Sequence, residues 1–131
     1  MLVTVTLLGP AAAFAHHSFA AEFDSNGQVT LKGASTKVDF VNPHAWLYMN
    51  VTDANGKVVN WAIEMGAPNT LIRRGFTKNT VPVGVEVTVQ GFRAKDGSAT
   101  ANGQTIKMPD GTQLFAGSNT TPGGAPAGER Q

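Results

Sequence analysis

Cysteine is missing from all 131 residues, which excludes disulfides, thiolate metal sites and cysteine nucleophiles. Charge is sparse too: 10 Lys and Arg stand against 9 Asp and Glu, a formal +1. Arg73-Arg74 is the one adjacent basic pair. The clustered cations that hold nucleic acid or an anionic membrane are therefore lacking. No apolar run approaches the roughly 20 residues that a membrane-spanning helix needs. P-loop and dinucleotide-binding glycine patterns are absent. Ser18, Ser25, Ser35, Ser98 and Ser118 all lack a nucleophile-elbow context. The carboxylates are scattered, with no close pair that suggests glycosidase chemistry. Most enzyme classes readable from a sequence are thus unsupported.

The first fifteen residues read as an export leader. Leu2 to Leu8 is apolar, and Ala11-Ala12-Ala13-Phe14-Ala15 ends in an A-x-A cleavage pattern that makes His16 the first mature residue. No Lys or Arg precedes the apolar stretch, a departure from the usual leader and a sign that the true start lies upstream. The implied compartment is the periplasm or the exterior of a bacterial cell, with no integral membrane span after cleavage.

Behind the leader the pattern is mainly β. Residues 16–27 read as an extended lead-in with Phe19 and Phe23 as anchors. Gln28 to Val41 reads as a long strand whose apolar residues change parity near Gly33, the mark of a bulge or sharp bend. Ala45 to Thr52 alternates, with Ala45, Leu47, Met49 and Val51 on one face and Trp46, Tyr48, Asn50 and Thr52 on the other. Asp53 to Gly56 is a turn, and Lys57 to Glu64 returns as a hairpin partner with Val59, Trp61 and Ile63 facing together. Ala67 to Gly75 opens on Pro68, ends on Arg73-Arg74 and stops at Gly75, which specifies a short helix. Val85, Val87 and Val89 mark another strand; Asn102 to Met108 is a weaker one, and Leu114-Phe115 follows a last turn. Residues 117–131 carry no apolar periodicity and are expected to be disordered.

Residues 28–116 therefore form one expected domain: a small five- to six-stranded, OB-like Greek-key barrel with one short helix between strands three and four. An open β-sandwich is the rival architecture.

Two constellations could carry chemistry. The first is the three histidines. Cleavage would give His16 an α-amine beside its imidazole, and those two nitrogens chelate one metal ion. His17 is adjacent, and His44 could supply a further nitrogen, giving a donor set suited to copper. Asp24 and Glu64 are candidate oxygen ligands not singled out by spacing. The structural alternative makes His16 and His17 a solvated end and gives His44 a hydrogen-bonding role in the Asn42-Pro43 turn. The second constellation is Trp46 and Tyr48, which face away from the core and could stack on a ligand. In the alternative, Phe19 and Phe23 fold over them as a satellite core. Trp61 reads as core, and Arg73-Arg74 as a solvated helix end that favours the macrodipole.

His16-His17-Ser18-Phe19, Val41-Asn42-Pro43-His44-Ala45-Trp46, Trp61-Ala62-Ile63-Glu64 and Leu71-Ile72-Arg73-Arg74-Gly75-Phe76 occur in order. With Gly91-Phe92 and Ala94 to Ser98, they resemble a domain-of-unknown-function family of small exported bacterial proteins, over about residues 16–115. The resemblance implies export and one compact domain, and no established activity. The expected function is an exported binding or interaction module without enzymatic activity and without nucleic-acid partners. Copper binding through His16 and His44 and a structural or assembly role are the alternatives.

Overall fold

The computed structural model describes residues 19–117. Helix α1 (Phe19–Glu22) leads into strand β1 (Phe23–Asp39), followed by β2 (Trp46–Thr52), β3 (Val58–Glu64), helix α2 (Pro68–Arg73), β4 (Glu86–Ala94), β5 (Thr100–Lys107) and β6 (Gln113–Phe115). The protein is mainly β, as its alternation implies. Six strands join one sheet in the order β3-β2-β1-β4-β5-β6, and β3 makes an additional pairing with β5. Neighbours in that order run antiparallel. The extra contact is parallel and sets Ala62, Ile63 and Glu64 opposite Thr100, Ala101 and Asn102.

β1 is the longest strand and pairs on both edges. Its Gly33 lies opposite Val51 of β2 and Val87 of β4. A Cβ at Gly33 would sit 1.9 Å from the Asn50 carbonyl oxygen, so only glycine lets the backbones come this close. The parity change read from the sequence is real. Its irregularity falls between Ser35 and Lys37, just past Gly33, and turns Val38 onto the face that Leu31 began. β4 runs beyond the expected Val85–Val89 segment to Ala94, with a register irregularity at Gln90/Gly91. β5 begins at Thr100, earlier than expected, because its first residues pair with β3 on one side and β4 on the other.

Local signals fix the connections. Asp53 Oδ1 accepts from Asn55 N (2.8 Å) and Lys57 N (2.9 Å), closing the β2–β3 hairpin. Pro68 starts α2, and Gly75 ends it at φ +83°. There Phe76 N donates to Leu71 O and Gly75 N to Ile72 O, both at 2.9 Å. This pair of bonds satisfies the last carbonyls and points Leu71 and Phe76 into the core. Leu47, Met49, Ile63, Val89 and Ile106 are fully buried there.

The lead-in is not wholly extended. Phe19 stacks on Phe23 (5.7 Å) and meets Phe92 edge-on (5.3 Å), and Lys95 N donates to Glu22 O at 2.9 Å. Those contacts curl the chain into α1 and start β1 at Phe23, opposite Ala94. Among the described residues, no helix is long and apolar enough to cross a membrane. Residues 1–18 and 118–131, which include the leader, His16, His17 and nearly all of the expected disordered tail, lie outside the described residues.

Candidate functional site

The outward face of β2 and β3 carries the polar chemistry. Because strand side chains alternate, burying Leu47 and Ile63 forces Trp46 and Glu64 to the other face, where they lie directly opposite each other. The parallel contact then sets Asn102 beside Glu64. Asn102 Nδ2 donates to Glu64 Oε1 at 3.4 Å, and His44 Nδ1 lies 3.2 Å from the same oxygen. His44 is held there by the backbone: Ala45 N donates to Gly66 O (3.0 Å), and Met65 N donates to Ala45 O (2.8 Å). The loop that carries His44 is thus tied to the end of β3. Glu64 is only 9% exposed, whereas the His44 side chain is 37% exposed. A nearly buried carboxylate is therefore held by an amide and a half-exposed imidazole.

Beside this cluster lies a cleft of about 510 Å³ whose walls include Trp46, Glu64, Glu22, Phe23, Asp96 and Lys95. One wall is α1 and the start of β1, pinned by Lys95 Nζ donating to Ala20 O at 2.6 Å. The opposite wall is the outward face of β2, β3 and β5. Hydrogen bonds from Ser98, first through its side chain and then through its backbone, hold the Asp96 carboxyl below its ordinary value. Asp96 therefore keeps its charge to lower pH than an ordinary aspartate.

The structure separates residues that the sequence grouped. Trp46 is half-buried on the cleft wall, but Tyr48, also half-buried, is not part of that wall. Tyr48 instead sits under Lys37 Nζ, 5.6 Å from its ring centroid. Lys37 also bonds Asp39 at 2.8 Å, and that partner holds its ammonium above the ordinary value. Phe19 and Phe23 do form a satellite cluster, but they pack on Phe92 and Ala94.

The metal candidates fare unevenly. His44 and Glu64 are brought together; Asp24 accepts from Asn26 N at 2.9 Å in a local turn. Among the described residues, no group of three or more His, Asp or Glu could hold a metal ion. Asn102 was missed because its meeting with Glu64 depends on a parallel pairing that no local pattern announces. Arg74 was misread as solvated: it is half-buried, with its guanidinium 4.2 Å from the Phe115 ring centroid and Nη1 donating to Gly117 O at 3.1 Å. Trp61 is core as expected, with the Arg93 guanidinium 5.2 Å from its ring centroid.

Residues 5–104 match DUF6152, a family of unknown function. The chain belongs to that family. Its residues include the whole His44–Glu64–Asn102 cluster and the Trp46 wall, whereas β6 and the Phe115 contact to Arg74 lie beyond the matched span. DUF6152 is thus the family that the His-His-Ser-Phe and Asn-Pro-His-Ala-Trp motifs resemble. No curated protein and no solved structure gives a match.

Proposed function

We propose that this DUF6152 protein is an exported, non-enzymatic binding module that seats a small ligand in the cleft beside Trp46 and Glu64. The observation that carries the reading is the cleft itself, walled by an outward indole and a nearly buried carboxylate. Ligand pockets are commonly concave and of about 300–1,000 Å³, with a few placed polar groups, and this one falls in that range. The A-x-A pattern before His16 supports export, and the periplasm is the proposed compartment. The β3–β5 pairing supports the finer architecture, a five-stranded OB-like Greek-key barrel with α2 between strands three and four and β6 appended. In such barrels the face of strands two and three is the usual binding surface, and Trp46 lies on it.

Titration of a metabolite set, followed by tryptophan fluorescence, tests the reading. Binding should be lost in Trp46→Ala; a variant that retains every detected affinity removes the cleft from consideration. Tyr48→Ala should matter less, since Tyr48 lies off the wall.

A second reading, copper binding, is favoured by one observation. An imidazole whose Nδ1 is engaged by a carboxylate is oriented for its other nitrogen to take a metal, the usual outer partner of a histidine ligand, and His44 stands so beside Glu64. His16 would add an imidazole and the α-amine, with His17 adjacent. The test uses protein beginning at His16 and the same protein with one added N-terminal residue. Equal Cu(II) affinity of the two would rule out the chelate.

A further inference from the structure

The lining of the cleft narrows its ligand class, an inference that rests on the cleft being the binding site. Among the described residues, three carboxylates, Glu22, Glu64 and Asp96, line it against one lysine or arginine, Lys95. The Lys95 ammonium is already directed at the Ala20 carbonyl. Glu64 is nine-tenths buried, where a charge is screened less by water than at the surface. Trp46 adds an indole to the lining, the aromatic ring that attracts cations best. Two of the carboxylates already hold internal donors: Glu64 Oε1 is met by Asn102 and His44, and Asp96 Oδ1 accepts from Ser98 N. A ligand that donated new hydrogen bonds to these oxygens would compete with internal donors. A weakly hydrated cation needs only the field and the aromatic face.

We propose that the cleft takes a small organic ligand with an alkylated ammonium head, seated against Trp46 with its charge toward Glu64. The probes are choline and its uncharged carbon isostere, 3,3-dimethylbutan-1-ol, each titrated into the full chain and followed by amide and indole NMR shifts. Choline should shift the Trp46 indole N–H and bind about tenfold or more tighter than the alcohol, about 1.4 kcal/mol. Glu64→Gln and Asp96→Asn should each weaken choline several-fold and leave the alcohol unchanged. Asp96 lies on an exposed turn, so its variant remains informative if Glu64→Gln fails to fold. Equal binding of the two probes at Trp46 overturns the ammonium class and leaves the cleft reading standing. Absence of any choline shift at Trp46 also overturns the ammonium class. Choline shifts confined to the Tyr48 and Lys37 side overturn both readings.

Discussion

The two faces of β2 are made by adjacent residues and have opposite characters. Leu47 and Met49 are fully buried in the main core, while Trp46 and Tyr48, which alternate with them, are half-buried on the other face. Across the hairpin the same contrast holds for Ile63, fully buried, and Glu64, which faces His44 and Asn102. The inward face is specified by volume and apolarity alone. The outward face is assembled from a loop, two strand pairings and the curled N-terminal segment. Stability and chemistry are thus divided between neighbouring positions of one strand, and substitutions should separate them.

Leu47→Ala should have the largest effect, about 2–5 kcal/mol, because it combines lost burial with a cavity in a packed core. Urea unfolding measures it, and a cost below that of Tyr48→Ala would break the comparison. Phe92→Ala should cost about 3 kcal/mol. Its more telling effect is local: amide exchange should accelerate over residues 19–24, which its satellite cluster holds, and not over β2. Arg74→Ala should cost about 1 kcal/mol through loss of the Phe115 stack and the Gly117 bond. Arg73→Ala, at the exposed neighbour, should be near neutral, which thermal melts of the pair can check. Tyr48→Ala should cost about 1 kcal/mol or less, the size of an outward cross-strand pair.

The smallest effect concerns pH. The folded Asp96 and Asp110 carboxyls are held below their ordinary 3.8, each by hydrogen bonds from the residue two positions on. Their stabilisation is present above that ordinary value and is lost as the pH falls through the lower folded value. Acid titration of Asp96→Asn/Asp110→Asn should therefore show a slightly shallower loss of stability below pH 3.8 than the parent. An unchanged acid limb would remove these two turns from the account.

Local patterns made much of the scaffold legible. The Asp53–Gly56 turn, the Pro68-to-Gly75 helix and the parity change beside Gly33 each follow from short-range sterics or hydrogen bonding. Of the candidate site, Trp46 and His44 were legible as unusual residues at special positions. Their partners were not. Glu64 was a candidate oxygen ligand that spacing did not single out from the nine carboxylates, Asn102 had no signal, and the N-terminal segment lines the cleft with Trp46 and not with Tyr48.

By itself, then, the sequence determined the strands, the turns, the inward face and the family motifs, because alternation and turn chemistry act over a few residues. Tertiary structure alone decided that Glu64 meets His44 and Asn102, and that Arg74 reaches Phe115. It also decided that the N-terminal phenylalanines settle on Phe92 and leave a cleft beside Trp46. Those contacts join residues tens of positions apart, and strand pairing sets them where local pattern carries no record.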